Sequence, residues 1–347
     1  MIKVYSEIVP FRGSHYDFGV YQGKLLLHSP ILSNRKKQWK KMNRHFQIDR
    51  MEVLNAFQSF APKLLEEIQG LADSLKMSFT DALREFGGYY IEYGNSGCSI
   101  YTDNGFMVRN YDNDPLSYEG RFVLFQPNNG FAAIGPSMQI TGRTDGINEH
   151  GLAIGYNFVH RKKTRNGFIC NMIARIVLET CQNKEEAIDL LKEIPHRHSF
   201  IYVLSDPDGS VIVEASPRKV VARTGNWCTN HFDILTEENR YRMQDSRQRW
   251  SAIAHRQRTL ANPYDAFRMM NDPASGVFSE KYGAWAGTIH TAQYFPREKK
   301  IWFAIGGNRK PLIIDGKHWF EGKDIPVKRI KGELNSRFPF VNMAPLA

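Results

Sequence analysis

The reading of this chain turns on residues 93–114, "YGNSGCSIYTDNGFMVRNYDND". Two β-rich runs, Ser99–Thr102 and Phe106–Asp112, flank Asp103-Asn104-Gly105. Asn-Gly between such runs is a strong hairpin signal, because both residues tolerate the left-handed backbone of a tight turn. Cys98 stands behind Gly97, just before the first run, and Arg109-Asn110-Tyr111-Asp112 ends the second. Read locally, Cys98 is either a small apolar residue in a turn or the sulfur around which a site is built.

On the N-terminal side the texture is helical. Leu54, Phe57, Ala61, Leu64, Ile68, Leu71 and Leu75 fall on one helical stripe within residues 51–76, with Pro62 placed to break or kink it. A second helix is expected over "FTDALREFGGYY", with Thr80 as N-cap and Asp81 in its first turn. Residues 1–97 therefore read as a mainly helical segment after a Gly-punctuated start. On the C-terminal side strands recur in "RFVLFQPNNGFAAIGP" and "DGINEHGLAIGYNF". Two helices follow, "FICNMIARIVLETC" and "NKEEAIDLLKEI", the second capped by Asn183 with acids in its first turn. Strands return in "SFIYVLSDPDGSVIVEASPRKVVAR", "WCTNHF", "AGTIHTAQYFP" and "KKIWFAIGG", with a basic helix over "SRQRWSAIAHRQRTL". Groups of strands around a central helix pair predict an α+β layered fold, with residues 98–347 forming its core and residues 1–97 packing on it.

Composition narrows the function classes. With 347 residues, 42% hydrophobic and 12% aromatic, the chain can bury a large core. No apolar run reaches membrane-spanning length, and "MIKVYSEIVPFRGSHYDFG" has no apolar signal region, so no transmembrane segment and a cytoplasmic location are expected. Cys98, Cys170, Cys181 and Cys228 are widely spaced without a C-x-x-C pair, which argues against a zinc ribbon or a thioredoxin-like motif. The net charge is +10, with basic runs at 35–45 and 160–165. These attract phosphates or acidic substrates, but no nucleic-acid-binding motif accompanies them, so a phosphate-bearing acyl donor suits them better than nucleic acid.

A thiol becomes a nucleophile when a positive charge favours its thiolate or a base lies within reach. His196, His198, His231 and His290 are candidates for a Cys–His pair, although no protease signature surrounds Cys98. The other base available is the nucleophile's own α-amine, whose ordinary pKa of about 7.7–8.0 suits proton transfer near neutrality. That amine exists only if the chain is cut between Gly97 and Cys98, which the thiol itself can do by taking the Gly97 acyl group onto sulfur before hydrolysis.

The wider pattern, "RGSHYDFGVYQG", "SGCSIYTDNGFMVRNYD", "DGINEHGLAIGYNF", "CTNHF" and "SRQRW" in this order, resembles the cysteine-type N-terminal-nucleophile (Ntn) family of acyl-CoA:6-aminopenicillanic acid acyltransferase. More distantly it is similar to choloylglycine hydrolases and penicillin V acylases. The resemblance implies an Ntn-hydrolase αββα sandwich, two stacked antiparallel sheets between helical layers. It implies a zymogen cut autocatalytically at Gly97–Cys98 into associated α and β chains. Cys98 matches the nucleophile. Arg109 and Asp112 match its flanking charges, the first favouring the thiolate and the second holding the freed amine. Asn157 matches an oxyanion donor, Asn230 a second active-site asparagine and Arg249 the late arginine, with Arg247 a near neighbour of that last match. Asn148 and Glu149 are expected to shape a hairpin, and Cys228 to be a packed thiol.

The expected activity is transfer of an acyl group through a Cys98 thioester, from an acyl-CoA or an N-acyl amide to an amine or water. The alternatives are a linear-amide hydrolase without transferase activity, and an unprocessed Ntn-fold protein that binds an acylated ligand. No metal or redox cofactor is implied; acyl-CoA would enter as substrate. The expected partners are a small-molecule acyl donor and an amine acceptor, with homo-oligomers left open.

Overall fold

The computed structural model describes residues 1–41, 48–91, 96–160, 163–240, 243–283 and 286–343, and no side chain over 38–41. Residues 93–95 of the opening stretch, and 42–45 and 161–162 of the two basic runs, lie outside the described residues.

The chain begins with strand β1 (Ile2–Gly13) and helices α1 (His15–Leu27), α2 (Ile31–Lys41), α3 (Arg50–Phe60), α4 (Pro62–Leu75) and α5 (Phe79–Phe86). Strands β2 (Ser99–Asp103), β3 (Phe106–Asn113), β4 (Arg121–Pro127), β5 (Ala133–Met138), β6 (Gly142–Arg143), β7 (Asp145–Asn148) and β8 (Ala153–Phe158) follow. Helices α6 (Cys170–Thr180) and α7 (Lys184–Glu193) lead to β9 (Phe200–Asp206), β10 (Gly209–Ala215), β11 (Val220–Arg223) and β12 (Trp227–Cys228). The remainder is α8 (Met243–Arg256), α9 (Pro263–Asn271), β13 (Gly287–Phe295), β14 (Lys300–Ile305), β15 (Leu312–Asp315), α10 (Gly316–Phe320) and β16 (Arg329–Leu334).

Local chemistry accounts for many of these boundaries. Pro62 splits the apolar stripe of 51–76 into α3 and α4 and takes the first turn of α4, where its missing N–H is not needed. Asn183 caps α7 by accepting from the Glu186 N–H. The cap of α5 is Ser78 rather than the expected Thr80: Ser78 is extended and accepts from the Asp81 N–H, which puts Thr80 inside the helix. The expected hairpin forms, with Ser99 opposite Asn110 and Asp103 opposite Phe106.

Two sheets result, ordered β11-β10-β9-β8-β7-β5-β4-β1-β16, with β6 beside β5, and β12-β2-β3-β13-β14-β15. Their facing sides interlock, as where Phe122 of β4 meets Phe303 of β14 edge to face at 5.0 Å. Helices α6 and α7 cover the outer face of the large sheet, and α8 and α9 the outer face of the small one. The order is therefore helix, sheet, sheet, helix, the αββα sandwich.

The N-terminal segment does more than pack on this core. Residues 2–13, not read as a strand from the sequence, run inside the large sheet, antiparallel to β16 and parallel to β4. The β1–β4 pair is the one parallel pair among the described strands. The long helical excursion between β1 and β4 supplies the crossover that parallel pairing needs. Pro10 obscures the strand pattern and is tolerated because β16 pairs only residues 2–7, which leaves Pro10 bonded on one side.

Candidate active site

Cys98 sits at the threshold of β2, 1% exposed, and every polar group of the residue is engaged. Its N–H donates to Asn230 Oδ1 at 2.9 Å. Its carbonyl accepts from Arg249 Nη1 at 2.6 Å. Around the sulfur lie Ser96 Oγ at 3.3 Å, Arg109 Nη2 at 3.5 Å and the Asp112 N–H at 3.5 Å.

Strand pleating explains the division of labour on β3. Residues three apart point to opposite faces, so Arg109 enters the space between the sheets while the Asp112 side chain faces the α8–α9 side. Arg109 is fully buried and held by Asp145 Oδ2 at 2.6 Å, Thr144 O at 2.9 Å and the Tyr156 carbonyl. Asp145 is held in turn by the Tyr294 hydroxyl at 2.7 Å and by His290 Nε2 at 3.2 Å. Arg109 also needs room. A Cβ on Gly155 would stand 2.9 Å from Arg109 Cδ and 3.1 Å from Ile100 Cδ1, so glycine at this point of β8 lets the guanidinium lie across the strand.

On the other face, Asp112 Oδ1 accepts from Thr288 Oγ1 at 2.7 Å, and Oδ2 has no hydrogen-bond partner among the described residues. Burial pushes this carboxyl up to about 7, against the opposing pull of Arg249 and Thr288. Burial likewise pushes the Cys98 thiol up, with Arg109 as the main opposing influence. In the whole chain, therefore, the surroundings favour the thiol over the thiolate.

Helix α8 separates the two arginines left open by the sequence. Arg249 faces inward, with Nη1 on Cys98 O and on Ser99 Oγ at 2.8 Å, Nη2 on Asn230 Oδ1 at 2.7 Å and Nε on Asp245 at 3.0 Å. Arg247, two positions earlier, is exposed. The helical repeat of 3.6 puts such neighbours on different faces.

The two asparagines arrive differently. Asn230 contacts Cys98 directly and donates through Nδ2 to Phe158 O at 2.8 Å. Asn157 points Nδ2 at Cys228 O, 3.2 Å, and Cys228 Sγ, 3.3 Å, and its Oδ1 is unpartnered. The Asn230 amide keeps a second hydrogen for an oxyanion, whereas the Asn157 amide faces two acceptors on Cys228. Cys228 is a buried thiol whose burial lifts it to about 12. The four candidate histidines lie elsewhere. His196 bonds Leu191 O, His198 bonds Ile91 O, His231 bonds Ser246, and His290 belongs to the Asp145 cluster. Asn148 shapes its hairpin, accepting from the His150 and Leu152 N–H groups. Sequence reasoning missed Ser96, Gly155, Thr288, the Asp145–Tyr294 pair and Ser246, which accepts from the Asn230 N–H at 2.7 Å, and it gave His290 another role. Ser96 stands two residues before Cys98 and the others lie inside the quoted motifs and strands, but nothing local marked their contacts.

A cysteine clamped at the start of a strand, between two stacked sheets with helices outside, defines the class: an Ntn-hydrolase architecture with a thiol at its site. The sequence matches the family described as acyl-coenzyme A:6-aminopenicillanic acid acyl-transferase over residues 100–310, and the chain belongs to that family. It is accordingly a member of an acyltransferase enzyme family. No curated protein matches it. Among solved structures it is similar to penicillin V acylase from Agrobacterium tumefaciens, at 17% identity and a TM-score of 0.41 over 63% of this chain and 86% of that one. It is also similar to a variant of conjugated bile acid hydrolase from Clostridium perfringens, at 14% identity and a TM-score of 0.45 over 66% and 95% of the two chains. A third is the Caenorhabditis elegans ortholog of N-acylethanolamine-hydrolyzing acid amidase, at 11% identity and a TM-score of 0.40 over 58% and 92%.

Proposed function

We propose that this chain is a precursor that cuts itself at Gly97–Cys98, and that the cut enzyme moves acyl groups through a thioester on Cys98. The observation that carries this reading is the clamp on Cys98: N–H on Asn230, carbonyl on Arg249, sulfur beside Arg109. Such a clamp fixes the reacting bond and the attacking atom together, which is what an intramolecular displacement requires.

After the cut, the α-amine of Cys98 takes the thiol proton as sulfur attacks the acyl carbon, then gives a proton to the leaving group. The second Nδ2 hydrogen of Asn230 and the second Nη2 hydrogen of Arg249 are the donors proposed for the oxyanion, joined by the Asn157 amide once it turns from Cys228. An amine or water then attacks the thioester, releasing the acyl product and restoring the thiol. Asp112 supplies a carboxyl on the far side of β3 for the ammonium form. The acyl donor proposed is an acyl-CoA, in keeping with the family description and with a net charge of +10. Strand β1, bonded to β16 over residues 2–7 and to β4 over residues 7–13, would keep the N-terminal piece attached after the cut.

Intact-mass measurement tests the cut. The wild-type chain should yield two pieces divided at Gly97–Cys98, while Cys98→Ala stays whole; a wild-type chain that never divides overturns the proposal. Incubation of the cut enzyme with acyl-CoA or with N-acyl amides, following free CoA against free amine, separates transfer from hydrolysis.

A further inference from the structure

Among the described residues, the hydrogen-bond partner nearest the Cys98 sulfur belongs to a residue on the opposite side of the bond to be cut. Ser96 is 1% exposed, its Oγ is 3.3 Å from Cys98 Sγ, and its hydroxyl donates to Asp112 O at 2.9 Å. A hydroxyl has one hydrogen and two lone pairs, so it can accept while it donates. While the sulfur is protonated, the S–H can donate to Ser96 Oγ as the hydroxyl donates to the β3 main chain. When the proton leaves, a turn about the Cβ–Oγ bond swings the hydroxyl hydrogen onto the thiolate. One small side chain thus serves both protonation states without moving its heavy atoms. Arg109 is less free to do this, because Asp145 and two carbonyls already hold it.

We propose that Ser96 is a positioning residue of self-cleavage, holding the Cys98 sulfur for attack on the Gly97 carbonyl and donating to the thiolate as it forms. This rests on the self-cutting reading above. In the step itself, the C–S bond forms as the Gly97–Cys98 C–N bond breaks, and the proton lost by sulfur ends on the Cys98 nitrogen. Water then hydrolyses the thioester to the Gly97 carboxylate and the free thiol. Backbone linkage ties the hydroxyl to Cys98 only while the chain is whole, since after the cut Ser96 belongs to the other piece.

The test is the rate of cutting after cell-free synthesis, read on denaturing gels from pH 5 to 9 for the wild type, Ser96→Ala, Ser96→Thr and Cys98→Ala. Ser96→Ala should cut roughly 10- to 100-fold more slowly, the worth of one hydrogen bond to a charged group. The midpoint of its rate–pH profile should also move to higher pH, because the thiolate has lost a donor. Ser96→Thr, which keeps the hydroxyl, should cut faster than Ser96→Ala. Wild-type cutting by Ser96→Ala, an equal slowing at every pH with the midpoint in place, or the reverse order of the Thr and Ala variants overturns the role of Ser96 alone. A wild-type chain that stays whole, or a Cys98→Ala chain that divides, overturns the self-cutting reading and this proposal with it.

Discussion

Asp112 combines full burial, one hydroxyl partner and one oxygen unpartnered among the described residues. Its carboxyl is pushed by burial up to about 7, so it stays protonated in the folded chain at pH values where the unfolded chain, with an ordinary pKa of about 3.9, has already released the proton. The folded state then binds more protons than the unfolded one, and stability falls as pH rises through that window. Denaturant unfolding of the whole Cys98→Ala chain should show that decline between about pH 4 and 7 and level off above it. Adding Asp112→Asn should flatten the slope; an unchanged slope places its source in other groups. This behaviour was not legible in the sequence. Arg109 and Asp112 could be picked out as a charged pair near Cys98, but their opposite faces and the hydroxyl of Thr288, 176 positions away in the chain, appear only when β3 and β13 pair.

Helices α1 and α4 meet closely, and they do so through glycine. A Cβ on Gly70 would stand 2.2 Å from Tyr16 O and 2.8 Å from Val20 N, and one on Gly19 would stand 2.0 Å from Glu67 O. The backbones touch where side chains would ordinarily separate two helices. Gly70→Ala should therefore push the pair apart and destabilise the chain by about 1–3 kcal/mol, as overpacking does, readable as a lowered thermal midpoint. A variant as stable as the wild type would show that the helices can shift at no cost. The Gly-rich opening "RGSHYDFGVYQG" was visible as a motif, and its purpose becomes clear here: it lets α1 lie against α4 beside the large sheet.

That contact brings a buried ion cluster together across the whole molecule. Arg175 of α6 pairs with Glu67 of α4 at 2.7 Å and with Glu179, which also meets His15 of α1 at 3.0 Å. Gln22 bridges Glu67, at 2.6 Å, to Arg121 of β4, at 2.8 Å. Burial raises the Glu179 carboxyl, and Arg175 and His15 more than reverse this, bringing it down to about 2. The cluster joins residues on both sides of Gly97–Cys98. Removing one partner strands the others, so Arg175→Met should cost about 3–5 kcal/mol in denaturant unfolding. Arg175→Met combined with Glu67→Gln and Glu179→Gln should recover much of that loss, because no uncompensated carboxylate remains. A single variant with no loss would mean that water already solvates the cluster.

Short-range chemistry was legible in the sequence: the Asp103-Asn104-Gly105 hairpin, the break at Pro62, the Asn183 cap, and the order of motifs that places the chain in its family. These depend on backbone preferences and residue identity within a few positions, so they survive without knowledge of the rest of the chain. Tertiary contacts alone put residues 2–13 into the large sheet, brought Arg249 rather than Arg247 to Cys98, and set Gly155 against Arg109 and Thr288 against Asp112. Each of these depends on the approach of segments far apart in the chain, and local periodicity carries no record of which distant strand or helix will supply the missing partner.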